Sequence, residues 1–500
     1  MEINLETKNK NIYREIFHLT KRTQESAESV VPDTDEDIGK IASVKTDVML
    51  KSKDITSRGV IVTGEASASL MYITDDQASV SFVKLSKGFS IEYEIPDIDG
   101  DTVAQVSLTV ANAEARVLNP RKVSVTFELA GELSCYRQEN LRMDTDLPCN
   151  EQYGLHARYE DAEIYYINAA AEKTLTINEQ FVFPGGKPAP ARLISQEAEL
   201  VVTDSQLIGT KIIVKGNANI SACYLSAEEC YPIKAEFSTP FSQIIDIGEE
   251  SMELCSVCPA LTSAYYNLTE TISGDKALDA EIHAVIQIVS HNREKIRYIS
   301  DVYSNIMPAL CSMQNCQYSA KSEVQRTKLS ADEHLSLPDD CADVLSAFVS
   351  IAHISQEQSK ISIGVSVDMI YRSENGQLSS AKRSIGVEGE LPAGGARVLV
   401  SRLTDVYIRP DGKNVEAHLS VDINCFVSSS VGIDRVETIS LDEKALYDLS
   451  RYPTVTLVRA GKESMWELAK AYHSNVEKIA VLNQIDGDME GKLLLIPKAL

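Results

Sequence analysis

The chain has 500 residues, which is more than one hydrophobic core usually serves, so its length predicts several domains. A formal net charge of −25 would repel a polyphosphate backbone, and nucleic acid is therefore excluded as an expected partner. No apolar run approaches the roughly 18 residues that a membrane-spanning helix needs, so we expect no transmembrane segment.

The start of the chain predicts a protein that stays in the compartment where it is made. Met1–Lys10 is polar and charged, and no apolar stretch of signal-peptide type follows it. The segment Asn9–Glu28 mixes charged and apolar residues and suits either a strand or a docking helix. Four carboxylates follow Pro32, but without the glycine-punctuated spacing of an EF-hand, so they predict a solvated turn rather than a calcium site.

An internal repeat sets the expected architecture, because self-similarity at a fixed period marks repeated structural units. Its period is 152 residues. The pairs that share this spacing are Pro32 and Pro184, Gly64 and Gly216, Tyr72 and Tyr224, and Phe89 and Phe241. A third, more divergent copy contains Leu337-Pro338 and the strand-like run Ile361–Tyr371.

Alternation of apolar and polar residues, with turns rich in Pro, Gly, Asn and Asp, predicts half-buried antiparallel strands in each copy. Each copy ends with a polar turn and one such strand, as in Val123, Val125, Phe127 and Leu129 after Asn119–Lys122. We therefore predict a mainly β protein with three tandem antiparallel β-sandwich or barrel-like modules. Their expected limits are residues 10–140, 160–305 and 315–445.

No common catalytic or metal-binding pattern stands out, so we expect neither an enzyme nor a metal or cofactor. Cys255 and Cys258 form one C-x-x-C, but no second pair at zinc-ribbon spacing accompanies it. Thiols in a reducing compartment usually remain free. Ser379–Lys382 fits S-x-x-K, but the companion motifs of that enzyme class are absent.

Residues 452–498 change to a compact βααβ pattern and predict a fourth domain. Thr454–Val458 and Lys492–Pro497 are strand-like, and Ser464–Glu467 and Ser474–Glu477 both fit the S-x-x-E capping box that starts a helix. Trp466, the only tryptophan, is predicted to anchor this small core.

This segment resembles a LysM domain. The resemblance is carried by Val458–Gly461, Trp466–Ala469, Tyr472, Val476–Ile479, Leu482-Asn483 and Leu495–Pro497. LysM domains commonly bind N-acetylglucosamine polymers through the loop before the first helix and the loop after the second. Here Gly461-Lys462-Glu463-Ser464 replaces the usual Gly-Asp-Thr, so the same surface is open to glycan or protein. The positions carried over are Gly461, Ser464, Met465, Asn483 and Ile485.

The combination of tandem β-modules, a Val31-Pro32-Asp33 opening, the Asn119–Lys122 turn and a terminal LysM resembles SipL-type proteins with SPOCS domains from endospore-forming Clostridia. That resemblance implies a scaffold in the mother-cell cytoplasm at the forespore surface, where the LysM domain binds a SpoIVA-type coat ATPase. The β-modules would bind other coat proteins or self-associate. The alternative function is binding of peptidoglycan or another N-acetylglucosamine polymer by the LysM domain.

Overall fold

The computed structural model describes residues 1–77, 79–147, 153–227, 231–248, 250, 255–392, 396–411, 413–451, 453–484 and 489–498. Strands make up most of this part of the chain, which confirms the prediction of a mainly β protein. A two-residue strand, β1 (Glu2–Ile3), is followed by three groups of six strands and a small C-terminal unit. We call the three groups units 1, 2 and 3.

The strands of each unit follow one another along the chain. Unit 1 comprises β2 (Glu6–Val30), β3 (Ile38–Thr56), β4 (Gly59–Thr74), β5 (Val80–Glu94), β6 (Val103–Asn119) and β7 (Lys122–Asp146). Unit 2 comprises β8 (Leu155–Val182), β9 (Pro190–Ile208), β10 (Lys211–Ser226), β11 (Ile233–Asp246), β12 (Cys255–Glu270) and β13 (Lys276–Ser304). Unit 3 comprises β14 (Ala309–Ser336), β15 (Cys341–Glu357), β16 (Lys360–Ser373), β17 (Leu378–Glu390), β18 (Arg397–Asp411) and β19 (Asn414–Leu441).

A short 3-10 helix, Leu449–Arg451, leads into the C-terminal unit. This unit consists of β20 (Val455–Arg459), α1 (Met465–Ala471), α2 (Val476–Asn483) and β21 (Leu493–Pro497). The opening segment Asn9–Glu28, which suited a strand or a helix, lies within strand β2.

Each unit repeats one topology of two antiparallel layers. Its second, third and fourth strands form a three-stranded sheet, as in β3-β4-β5, and its sixth strand pairs with both the first and the fifth, as β7 pairs with β2 and β6. Short pairings between β2 and β8 and between β8 and β14 join the second layers into one ten-stranded sheet, which also includes β1.

Alternation along the strands places one face of each in a core between the two layers. In β7 the residues Val123, Val125, Phe127 and Leu129 are buried, and they belong to the same cluster as Val60 and Val62 of β4. Units 2 and 3 have corresponding clusters of their own. Buried residues in the strands therefore alternate with the same period of two as apolar residues in the sequence.

The repeated residues occupy matching positions in the structure. Gly64 pairs across the sheet with Phe89, and Gly216 pairs with Phe241. A Cβ atom on either glycine would overlap the ring of its phenylalanine, because the ring covers the bare backbone. Three fully buried tyrosines also correspond, and each donates a hydrogen bond to the segment before its second strand. These bonds run from Tyr72 to Glu36 O (3.0 Å), Tyr224 to Pro188 O (3.0 Å) and Tyr371 to Asp339 Oδ2 (3.4 Å).

A β-bulge recurs at one position in the second strand of each unit. Ala42, Ile194 and Leu345 are the extra residues, each skipped by the ladder just before the serine that pairs with the third strand. All three belong to one hydrophobic cluster to which every unit contributes, and we call it the central cluster. Its members are Ala42, Met71, Ile73, Val80, Phe82, Ile194, Cys223, Leu225, Leu345, Phe348, Ile370 and Leu378.

The units contact one another head to tail around this cluster. Ser69 of unit 1 donates to Ile194 O of unit 2 at 3.0 Å. Lys234 of unit 2 donates to Ala347 O of unit 3, and the buried carboxylate of Asp368 in unit 3 accepts from Ser43 and the Val44 N–H of unit 1. Head-to-tail contacts of this kind generate a ring when the rotation closes, and here the ring closes after three units.

Truncating a side chain of the central cluster should lower the stability of the three units together. We predict that Ile194→Ala destabilises the protein by about 2–5 kcal/mol, since Ile194 is fully buried and the substitution leaves a cavity. Urea unfolding followed by circular dichroism measures the effect. Ile208→Ala is the matched control, because Ile208 lies in the same strand but is 58% exposed. Equal midpoints for the two variants would contradict the structural role of the cluster.

A second prediction concerns the seam between units 1 and 2. Burial raises the pKa of Asp47 from its ordinary 3.8 to about 6, and the nearby Glu197 carboxylate makes a smaller contribution in the same direction. The folded protein then retains a proton that the unfolded chain loses, so this stabilising contribution is present below about pH 4 and is lost as the pH rises through about 6. Asp47→Asn should therefore raise the melting temperature at pH 7 and flatten its slope between pH 4 and 6. Asp101→Asn, at an exposed turn, should leave the slope unchanged.

Candidate partner-binding site

The C-terminal unit has a two-stranded sheet whose inner face packs against both helices. Its core contains Leu468 and Ala469 of α1, Ile479 of α2, and Leu494 and Ile496 of β21. The helices have only seven and eight residues, so their position depends on this packing and on their caps rather than on intrinsic helix stability.

The first predicted helix cap is confirmed and the second is wrong. Ser464 Oγ accepts from the Glu467 N–H at 3.2 Å, and Glu467 Oε2 accepts from the Ser464 N–H at 2.7 Å, which is a complete capping box. Helix α2 is capped by Asn475 instead of Ser474. The Asn475 Oδ1 accepts hydrogen bonds from the N–H groups of Glu477 (2.7 Å) and Lys478 (3.2 Å). Ser474 cannot serve because it is fully buried and donates to Pro497 O.

The loop positions carried over from the LysM resemblance already make internal contacts. The Gly461 N–H donates to Glu463 Oε2 at 2.9 Å, and Ser464 is engaged in the capping box. Met465 begins α1 and packs partly against the core. Ile485 lies outside the described residues. The binding role of these loops stays a prediction.

Asn483 connects the end of α2 to strand β21. Its Nδ2 donates to Ile479 O at 2.8 Å and to Leu495 O at 2.6 Å, while its Oδ1 accepts from the Leu495 N–H at 2.7 Å. The amide therefore reproduces the pairing of a neighbouring strand, and both its donor and acceptor atoms are used within the unit.

Trp466 packs against the small core, as predicted, but it also joins the C-terminal unit to unit 2. Its Nε1 donates to Asp301 Oδ2 at 2.8 Å, and its ring meets the Tyr303 ring edge to face with 4.8 Å between centroids. The Lys470 ammonium lies 2.8 and 2.7 Å from the two oxygens of Asp301. Sequence spacing could not reveal this contact, because 165 residues separate Trp466 from Asp301.

Tyr303 extends the same contact into the core of the C-terminal unit. Its hydroxyl donates to Ser474 O at 2.9 Å, and burial raises its pKa above the ordinary value of 10.0. His156 stacks on the Tyr303 ring with 4.9 Å between centroids. We call the set Asp301, Tyr303, Trp466, Lys470 and Ser474 the Asp301 junction. It attaches the unit to the body by one buried hydrogen bond, from Tyr303 to Ser474 O, by the bonds of Trp466 and Lys470 to Asp301, and by ring packing.

The outer face of the two-stranded sheet is apolar and exposed. It carries Val455 and Leu457 of β20 and Leu493 and Leu495 of β21, which are 42%, 60%, 63% and 41% exposed. We call these four side chains the outer sheet face. The sequence carries a signal for this face: Leu493–Ile496 is apolar without alternation, a pattern typical of strands with both faces covered.

Other candidate sites make structural contacts. The carboxylates after Pro32 pair with arginines: Asp37 lies 2.7 Å from Arg121, and Asp35 accepts two bonds from Arg192 at 3.0 and 2.9 Å. Burial raises the pKa of Cys258 to about 11, which opposes thiolate formation. Within the described ranges, no group of three or more His, Cys, Asp or Glu residues is arranged for a metal ion. Neither helix of the described chain has the length or apolarity to cross a bilayer.

Comparison with known protein families identified a similar domain in unit 1. Residues 37–118 match the family model described as "SipL, SPOCS domain", and this segment runs from just before β3 to the end of β6. The match supports a SipL-type, sporulation-related protein. Comparison with curated proteins gave no match, and comparison with solved structures gave none.

The Asp301 junction gives a third prediction. Asp301→Ala removes the acceptor of both Trp466 and Lys470, so we expect the C-terminal unit to dissociate from unit 2 while staying folded. The emission of Trp466, the only tryptophan, should shift to longer wavelength, and limited proteolysis should cut faster between residues 442 and 454. Asp161→Ala is the control, because Asp161 forms an exposed 3.0 Å ion pair with Lys295 without an aromatic partner. Unchanged emission and proteolysis in Asp301→Ala would show that the junction does not hold the unit.

Proposed function

We propose that this protein is a non-catalytic spore-envelope assembly protein that tethers a SpoIVA-type coat morphogenetic ATPase to the forespore surface through a C-terminal LysM domain. The match of residues 37–118 to the SPOCS domain of SipL carries the sporulation assignment. The LysM assignment is supported by the βααβ order of residues 455–497 and by the motif residues named above. The protein would act in the mother-cell cytoplasm.

The three six-strand units are the SPOCS-like modules of this proposal, and the C-terminal unit is its LysM domain. The observed strands are consistent with modules near residues 10–140, 160–305 and 315–445. A ring closed around the central cluster would act as one rigid platform, and its outer surfaces would bind other coat proteins or further copies. Tethering then results from two binding surfaces on one chain, which raises the effective concentration of each partner near the other.

Protein contact is favoured over glycan binding at the C-terminal unit. Recognition of N-acetylglucosamine needs free hydrogen-bonding groups at the two loops. The amide of Asn483 and the N–H of Gly461 already have partners within the unit. The outer sheet face offers aliphatic surface, which suits a protein better than a sugar polymer.

Binding of the purified coat ATPase tests the proposal. We expect the full chain to bind a recombinant SpoIVA-type ATPase from the same organism, and a chain lacking residues 453–498 to lose at least tenfold in affinity. Soluble N-acetylglucosamine oligomers should leave binding unchanged. Retention on insoluble peptidoglycan that the same oligomers release, without binding to the ATPase, would make this a glycan-binding protein.

A further inference from the structure

The outer sheet face is a continuous aliphatic surface. In the β20–β21 ladder Leu457 lies opposite Leu495, Val455 lies opposite Pro497, and Arg459 lies opposite Leu493. Side chains directly opposite in an antiparallel pair are about 4.5–5.5 Å apart at their Cβ atoms, so these side chains adjoin one another. Exposed aliphatic side chains that adjoin in this way are typical of a surface that a partner covers.

The residues on the two faces of this sheet show why a partner is expected. Leu494 and Ile496 point inward and are 2% and 1% exposed, because the helices cover them. Leu493 and Leu495 alternate with them in the same strand and face outward, yet they are equally apolar. Covering these leucines would remove apolar surface from water, which favours binding of a partner.

Strand addition at the β21 edge is blocked, which favours contact with the face of the sheet. The side-chain amide of Asn483 already occupies both the N–H and the C=O of Leu495 at the free edge of that strand. An added strand would have to displace those two hydrogen bonds. Contact through side chains on the open face requires no such rearrangement.

Charge defines the chemistry of the partner. Residues 453–498 contain six Lys and Arg and six Asp and Glu, so this unit is neutral and the net charge of −25 belongs to the rest of the chain. Arg459 lies in the same ladder and on the same face as the leucines. Among the described residues its guanidinium donates one hydrogen bond, to the Gly491 carbonyl at 3.4 Å. A carboxylate on the partner would form an ion pair with this guanidinium.

The Asp301 junction leaves this face free. The junction uses α1 and the segment between the two helices, through Trp466, Lys470 and Ser474. None of the four aliphatic side chains belongs to it. The C-terminal unit can therefore be held by unit 2 and bind a partner at the same time.

We propose that the outer sheet face, with Arg459 at its corner, is the surface that binds the coat ATPase, and that it fits an aliphatic patch carrying an acidic side chain. This inference rests on the proposed function. It assigns recognition to the sheet rather than to the loop positions Gly461, Ser464, Met465, Asn483 and Ile485.

The test compares variants of the full chain for binding to the purified ATPase by biolayer interferometry. We expect the double variant Leu457→Ser with Leu495→Ser to lose 10- to 100-fold in affinity, because two aliphatic contacts disappear. Arg459→Glu should lose at least fivefold, and its affinity should depend less on salt than that of the wild type. The matched control is Ile208→Ser with Ile272→Ser, two exposed aliphatic residues of unit 2, which should bind like the wild type.

Fluorescence of Trp466 verifies that the C-terminal unit of each variant stays folded and docked. Wild-type affinity in the folded sheet variants, together with loss of binding on removal of residues 453–498, would overturn this inference and leave the proposed function intact. Loss of binding in Ser464→Ala with Met465→Ala, but not in the sheet variants, would assign recognition to the loops. Failure of the wild-type chain to bind the ATPase would reject both proposals.

Discussion

The structure depends on packing one bulged residue from each unit into a common hydrophobic cluster. A regular strand shows alternate residues to opposite faces, so a strand that lines its own core cannot also direct consecutive apolar residues to a second one. The extra residue at Ala42, Ile194 and Leu345 breaks this alternation where the units meet. Each unit therefore keeps its own core and also contributes to the central cluster, and the ring is held by hydrophobic burial.

Because the ring forms within one chain, its three seams differ in chemistry. In a homotrimer a substitution would appear at all three interfaces, but here each seam has contacts of its own: Ser69 donates to Ile194 O, Lys234 donates to Ala347 O, and Asp368 accepts from Ser43. Asp47, whose pKa is raised to about 6, lies at the seam between units 1 and 2. The third unit nevertheless has the same strand topology as the first two.

The C-terminal unit combines a fixed attachment with an open surface. The bonds of Trp466 and Lys470 to Asp301 set its orientation, since they use hydrogen-bond donors in fixed positions on one helix. Its outer sheet face takes no part in the Asp301 junction, so a partner bound there would be held at a defined distance from the ring. A tether that is anchored in this way loses less conformational entropy on binding than one on a flexible linker.

The sequence by itself determined the elements whose signals are local. Period-two alternation predicted the strands, the 152-residue repeat predicted matching positions, and Ser464 with Glu467 predicted the start of α1. Tertiary structure decided the cap of α2 and the docking of the C-terminal unit, because both depend on contacts between distant residues. Burial of Ser474 against Pro497 moved the cap of α2 to Asn475, and the side chain of Asp301 turned Trp466 into a contact between units. Spacing along the chain does not reveal which distant side chains will be in contact. Such contacts fix the position of the C-terminal unit against unit 2.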